Sequence, residues 1–421
     1  MTVSRLHLVF LVLLFAGMAF VGPRWHYERP AVWQGDEPHY LVMLNSLLQD
    51  GDLDLGNNYL SARRGGQDAG RYARGRPLDH HTVWWHDGRR VEWGDQHTPG
   101  KDEADPQGVV ERPAHPPGLA WFLAALLWPW RATPAVEELA LLCITLSGVV
   151  ALLLFHALVR GWARSEAAAL AVTAAAFLGT PVWHYSRKLF AEEPLVLCAI
   201  GAAYFTLRRP NGWAAGAFLA AGTLMKPPFL LLALPPGALF AVRREWKCLT
   251  GLCLMCLGGV AATLVSNASL YGSSWRSPQA FQFGNPLEAA WGLSVGWERG
   301  SLEYAPVLLA AVVGWPTVRR QHPIEAAVVL AAIGLYVGLI CLWHTWSGGW
   351  CYGPQLLVPI FPLAMVGLLG LAQAPRSLRG AAIALGVVSV TINVVAAGGW
   401  AYVPNVNPWS EMVRELRPRH S

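Results

Sequence analysis

The chain has 421 residues, of which 54% are hydrophobic and only 14% charged, and it contains 21 Trp. A soluble domain carries roughly a quarter of its residues charged, so this composition excludes one and points to a polytopic membrane protein. The formal net charge of +5 comes mostly from loop Arg and gives no footprint for nucleic acid.

The first apolar stretch, Leu6 to Val21, follows Arg5 and exits through Gly22, Pro23, Arg24 and Trp25. No small-residue cleavage site follows it, so it reads as a retained span, not a removed signal peptide. A spanning helix needs ~20 apolar residues, with ~17 as a lower limit. Candidate spans fall at 6–22, 136–159, 166–182, 194–207, 212–225, 228–242, 248–266, 304–318, 324–343, 356–372 and 380–397, several of them short. The cysteines Cys143, Cys198, Cys248, Cys253, Cys256 and Cys341 lie in or at the ends of these runs, and only Cys351 sits in a polar loop. That distribution is neither a disulfide framework nor a zinc spacing.

Arg and Lys in short loops mark the cytoplasmic side. They cluster at Arg160/Arg164, Arg208/Arg209, Arg243/Arg244/Lys247, Arg319/Arg320 and Arg376/Arg379, at every second connection. One crossing then separates residues 23–116, outside, from Arg160. The run "PGLAWFLAALLWPW" (117–130) is too short to span and is bounded by Pro and Trp, so it reads as a half-depth or surface helix. A true span there would instead put Arg160 and Arg164 on the outer face. The expected architecture is one all-α transmembrane domain over 1–421 with about eleven spans (range 10–13 at ~20 residues each), N-terminus inside. Its parts are a first helix at 6–22, a first outer loop at 23–135 with juxtamembrane helices, the other helices at 136–397, and a short outer tail at 398–421.

The long outer loop is rich in Gly, Arg, His, Asp and Trp (Trp84, Trp85, Trp93), and a loop of that length is functional or disordered. Within it, "GDEPHYL" opens a helix of ~14 residues with Tyr40, Met43, Leu44, Leu47 and Leu48 on one apolar face and His39, Asn45, Ser46 and Gln49 opposite. That asymmetry predicts a helix lying in the membrane interface. Asp36 and Glu37 stand at its start. A carboxylate before Pro38 is an ordinary helix-start signal worth ~1 kcal/mol, and one acid suffices for it. The functional reading of the pair is a general base or an ion ligand at head-group level.

Four further outward segments carry polar chemistry. "HYSRKLFAEEPL" supplies Tyr185, Arg187, Lys188, Glu192 and Glu193, which a salt-bridged amphipathic loop would also explain. "GTLMKPPFLL" places Lys226 at a span boundary, as a snorkelling side chain or a phosphate contact. "ERPAHPPGL" places Arg112 and His115 just before the half-depth helix. "WHTWSGGWCYGPQ" (343–355) is an aromatic, Gly-rich turn holding His344, Trp346 and Tyr352, either interfacial anchors or the floor of a sugar site. The Asn267-Ala268-Ser269 sequon lies close to a span end and reads as a chance match.

In order along the chain, "GDEPHYL", "HPPGL", "YSRKLFAEEPL", "MKPP", "ERGSLEYAPVLL" and "WSGGWCYGPQLLVPIFPL" resemble the GT-C superfamily of membrane glycosyltransferases. The nearest pattern is the protein O-mannosyltransferase branch and its bacterial relatives, the lipid A aminoarabinose transferases. Each motif alone is weak, and the ordered set with the topology is more specific.

The resemblance implies a sugar taken from a polyprenyl phosphate and passed with inversion to a glycan, lipid or protein acceptor. Such an enzyme would sit in a bacterial inner membrane, its site facing the periplasm and its partners membrane lipids. Asp36 would be the base, with Glu37 orienting it or raising its pKa by like charge. Lys226, with Arg187 or Lys188, would neutralise the leaving phosphate. Glu192 or Glu193 would be the second-loop acid, the doubled Glu leaving the register open. Tyr40, His115, Tyr185, His344, Trp346 and Tyr352 would line the substrate pocket. Asp36, Glu37 and Glu192 are hard oxygen ligands that could hold a divalent cation such as Mg or Mn. Related sequences often carry Arg where Gln355 stands, which weakens a phosphate role there. The chain ends soon after its last span with no large soluble domain, which favours a glycan or lipid acceptor over a peptide. A transporter or flippase of lipid-linked sugars is the alternative, but it predicts mid-membrane charges and inverted repeats that the sequence lacks.

Overall fold

The computed structural model describes residues 3–25, 35–63, 82–86, 89–91, 109–133, 135–277, 279, 281–349, 351–399 and 409. Trp93, Trp350 and nearly all of the expected 398–421 tail lie outside the described residues. The chain is an all-α polytopic membrane protein, with a helical element at each expected span position. Five helices are long and apolar enough to cross a membrane among the described residues: Val136–Arg160, Trp246–Tyr271, Pro323–Leu342, Gln355–Gln373 and Arg376–Val395. The shorter apolar helices include Glu166–Leu178 and Gly212–Met225.

Side-chain caps start several of these helices. The Ser165 hydroxyl accepts from the Ala168 N–H, and the Asn211 and Asn285 amide oxygens accept from Ala214 and from Leu287 and Glu288. Proline accounts for the irregular ones. Pro227–Ala233 is a 3-10 turn feeding Leu234–Val242, and Gln355–Gln373 alternates 3-10 and α turns around Pro359 and Pro362.

Small residues set the close packing. Gly314 lies against the Gly367 carbonyl, and Gly370 lies against Gly314, so Val307–Gln321 approaches Val366–Gln373 backbone to backbone. Gly212 and Gly216 do the same against Cys248 and Leu252 on the Trp246–Tyr271 helix. The core is apolar and aromatic, centred on Phe15, Phe155, Phe177, Trp183 and Phe190.

Two groups of connections are held together by contacts of their own. In one, Arg160 pairs with Glu166, His156 meets Glu166 at 3.0 Å, and Gly161 packs on the Arg208 guanidinium. The other group links Glu37 to Lys188, Glu192 to Lys226 and Gln355, His115 to Gln279, and Arg299 to Cys351.

The juxtamembrane helix differs from expectation. Glu37–Asn45 continues through a π turn, Ser46–Asp50, and of its polar side only the end, at Gln49 and Asp50, is exposed. Tyr40, Leu41, Val42, Met43, Leu44, Asn45 and Ser46 are all buried, so the helix is enclosed by protein instead of lying on a surface. Its polar side has found protein partners: His39 Nδ1 meets the Tyr59 hydroxyl at 2.7 Å, and the Ser46 hydroxyl donates to the Asp52 carbonyl at 2.9 Å.

Two further elements were not anticipated. Thr82–His86 is the centre of a three-stranded antiparallel sheet, flanked by Arg89–Val91 and Val109–Pro113, with Trp84 opposite both Val91 and Glu111. The Leu55 N–H donates to the Glu111 carbonyl at 2.8 Å and the Glu111 N–H to Asp54 at 3.1 Å, which ties the sheet to the end of the juxtamembrane segment. The second is a helix, Pro286–Val295, whose Leu287 and Trp291 are exposed. The expected half-depth helix is Gly118–Leu127, ten residues long, at ~1.5 Å per residue about half a hydrocarbon core.

Candidate active site

Asp36 and Glu37 occupy the start of one helix and face different partners. Gly35 has φ 57°, a left-handed turn that glycine tolerates, and it aims the chain into the helix. The Asp36 carbonyl accepts from the His39 and Tyr40 N–H groups at 3.1 Å, while its side chain makes no cap hydrogen bond. That side chain is 32% exposed, with Oδ1 3.7 Å from His115 Nε2. Glu37, by contrast, is 1% exposed. Its carboxylate accepts from the Leu189 N–H at 2.9 Å and pairs with Lys188 Nζ at 3.1 Å. A buried carboxylate needs such partners, because desolvation alone costs several kcal/mol.

The doubled Glu is separated in the same way. Glu192 pairs with Lys226, and its Oε1 also accepts from the Gln355 amide at 2.8 Å. Glu193 is fully buried and points instead at Phe15 and Gly148, with no hydrogen bond to a described residue. Glu192 is therefore the member of the pair that meets Lys226, and Gln355, at the position where an Arg would be expected, holds that acid.

Tyr40 and Cys351 tie the two acidic centres together. Burial pushes the Tyr40 hydroxyl well above its ordinary value, and the charges of Asp36 and Glu192 add to the shift. The Cys351 thiol is pushed up to about 12, first by burial, with Arg299 opposing and Glu192 and Asp36 reinforcing. Asp36 and Glu192 thus act on the same two side chains from different helices.

Tyr185 and Tyr352 are built into the wall. The Tyr185 hydroxyl donates to the Tyr352 carbonyl at 2.9 Å, and the Tyr352 ring stacks on His184 at 4.3 Å. The Tyr352 hydroxyl, held 3.5 Å from Asn393 Oδ1, is shifted up by burial, and Arg187 opposes the shift. His344 and Trp346 belong to a different neighbourhood. The His344 N–H donates to the Gln282 carbonyl at 2.9 Å, and the Trp346 ring lies against Gly292. Neither makes a hydrogen bond to Asp36, Glu37 or Glu192 among the described residues.

Arg299 escaped sequence reasoning as a site residue. It is buried, and its guanidinium donates to the carbonyls of Gly349, Cys351 and Gly353 and lies 3.1 Å from Cys351 Sγ. Gly348, Gly349 and Gly353 all have positive φ, so the 343–355 turn folds its carbonyls around this one side chain. The Arg-Gly pair at the start of "ERGSLEYAPVLL" was the available signal.

Among the described residues no group of three His, Cys, Asp or Glu is arranged to hold a metal ion. Glu37 and Glu192 each face a lysine.

No family model matches the chain, and no curated protein sequence matches it. Solved structures do match, among them two of ArnT from Cupriavidus metallidurans. The apo form aligns with TM-score 0.53 at 15% identity, covering 94% of this chain. The form bound to undecaprenyl phosphate aligns with TM-score 0.56 at 14% identity, covering 98% of it. The chain spans 66% of the length of each. Over nearly its whole length the chain thus shares the fold of these ArnT structures.

Proposed function

We propose that the chain is an inverting glycosyltransferase that moves a sugar from a polyprenyl-phosphate donor to a hydroxyl acceptor on the outer face of a bacterial inner membrane. The observation that carries this reading is a partly exposed, non-capping carboxylate, Asp36, whose charge acts together with that of Glu192 on Tyr40 and Cys351, while Glu192 pairs with Lys226. The chemistry needs both Asp36 and Lys226. Asp36 takes the proton of the acceptor hydroxyl as its oxygen attacks the anomeric carbon, and the bond from that carbon to the phosphate oxygen breaks on the opposite side. The polyprenyl phosphate leaves with an added negative charge, which Lys226 offsets in a site of low dielectric.

Glu37 braces the helix start through Lys188 and Leu189, and Glu192 holds Lys226 at the cluster. Undecaprenyl phosphate bound to an ArnT structure of the same fold supports a polyprenyl-phosphate donor for this chain too. A glycan or lipid is the favoured acceptor. The test is transfer of label from radiolabelled polyprenyl-phosphate hexoses and pentoses into an envelope extract by the reconstituted chain. Wild type should transfer one of them, Asp36→Asn should do so at least a hundredfold more slowly, and a wild type inert with every donor rejects the assignment.

A further inference from the structure

A short rigid segment joins the two chemical centres. His115 follows the Val109–Pro113 strand and is 7% exposed, with Nε2 3.7 Å from Asp36 Oδ1. Its Nδ1 lies 3.4 Å from Gln279 Nε2. With that amide donating, as it is oriented, the ring proton resides on Nε2, the nitrogen that faces the carboxylate. The imidazole is fixed from the sides as well: it stacks on Tyr40 at 5.4 Å, and the His39 ring stands at 6.4 Å, itself held by Tyr59.

Pro116 and Pro117 follow, and each locks its own φ. Gly118 then opens the Gly118–Leu127 helix with its Cα pressed on the backbone of Leu224 and Met225. A Cβ at Gly118 would lie 2.7 Å from the Met225 nitrogen and closer still to the Leu224 carbonyl. Met225 ends the Gly212–Met225 helix, and the next residue is Lys226. The segment from His115 to Gly118 therefore touches Asp36 at one end and the Leu224–Met225 peptide, one residue before Lys226, at the other.

We propose that His115–Gly118 is the spacer that fixes the Asp36 carboxylate relative to the Lys226 ammonium, with His115 as the positioning residue for the base. This rests on the reading of Asp36 as base and Lys226 as the phosphate's counter-charge. In a displacement with inversion, the attacking and leaving oxygens lie on opposite sides of one carbon, so the groups serving them must keep a fixed separation. A misplacement of ~1 Å costs on the order of a hundredfold in rate. Two prolines and a glycine that admits no side chain are a stiff way to hold such a separation.

The test uses the full-length chain in proteoliposomes, with label transfer from polyprenyl-phosphate sugars and binding of undecaprenyl phosphate as separate readouts. His115→Ala should lower kcat about tenfold or more while KM for the donor and undecaprenyl phosphate affinity stay near wild type. His115→Gln, whose amide can reach the same carboxylate oxygen, should recover most of the loss. In an Asp36→Asn background, His115→Ala should cost nothing further, because it acts through the carboxylate. Gly118→Ala should weaken undecaprenyl phosphate binding by displacing the peptide before Lys226.

Wild-type kcat in His115→Ala, a loss confined to KM, or an equal loss in both backgrounds overturns the positioning role. Wild-type undecaprenyl phosphate binding by Gly118→Ala overturns the other end of the spacer, and that arm needs no turnover. An inactive Asp36→Asn beside a normal His115→Ala rejects the spacer alone, whereas an active Asp36→Asn rejects the base and the spacer together.

Discussion

Glu192 and Lys226 form an ion pair whose acid is 1% exposed and whose lysine is 22% exposed, and the oxygen that meets the lysine also accepts the Gln355 amide. Removing one partner leaves the other charge in a site built for two, at a cost on the order of 3 kcal/mol. Glu192→Ala should therefore destabilise the chain by about that amount, while Glu192→Ala combined with Lys226→Met should recover part of the loss. Thermal melting in detergent checks this, and additive losses in the double variant would show that the two side chains do not act as a pair.

The two acids of "GDEPHYL" should separate cleanly by experiment. Asp36→Asn removes a carboxylate that caps nothing, so the melting temperature should stay near wild type while transfer is lost. Glu37→Ala leaves the Lys188 ammonium and the Leu189 N–H without their acceptor, so it should destabilise the chain by about 3 kcal/mol. Melting curves of the two variants side by side give the answer; equal destabilisation would contradict the distinction.

Glu193 predicts the opposite of Glu192. Its carboxyl is buried against Phe15 and Gly148 with no hydrogen bond to a described residue, an arrangement that costs free energy. Glu193→Gln should be tolerated, and Glu193→Leu should be neutral or stabilising by roughly 1 kcal/mol, with transfer retained. Loss of transfer at wild-type stability would show that this acid takes part in the chemistry.

Arg299 should not be replaceable by lysine. One planar guanidinium serves three carbonyls of the 349–353 turn, and a lysine's single ammonium has no equivalent fork. Arg299→Lys should loosen the turn and with it the Gln355 grip on Glu192. The readout is the Cys351 thiol: buried and shifted up to about 12, it stays protonated and slow toward maleimide at neutral pH in wild type, and it should react faster in Arg299→Lys. Equal labelling rates would contradict the role given to Arg299.

Much of the architecture was legible because apolar run length and loop Arg are one-dimensional signals. Each candidate span position holds a helical element, and the "PGLAWFLAALLWPW" run became a short helix that starts directly after Pro117. The juxtamembrane segment was legible in length and misleading in environment. Periodicity shows that Tyr40, Met43 and Leu44 share a face, but it cannot tell lipid from protein on the other side, where His39 and Ser46 met Tyr59 and Asp52.

The strands at 82–91 and 109–113 depend on pairing across a long loop, which no local pattern encodes. The acidic pairs were legible as pairs only. Which member faces the cluster depends on side-chain direction over a single residue, as Glu192 and Glu193 show. Arg299 and Gln355 act through contacts 50 and 163 positions away, out of reach of any motif.

The central claim is that Asp36 is the base of a sugar transfer from a polyprenyl phosphate. The most direct measurement is single-turnover label transfer by wild type and Asp36→Asn at saturating donor, with undecaprenyl phosphate binding measured on the same preparations. The account predicts that Asp36→Asn binds the lipid phosphate like wild type and transfers sugar at least a hundredfold more slowly, the lower end of what general base catalysis contributes. Wild-type transfer by Asp36→Asn would contradict it.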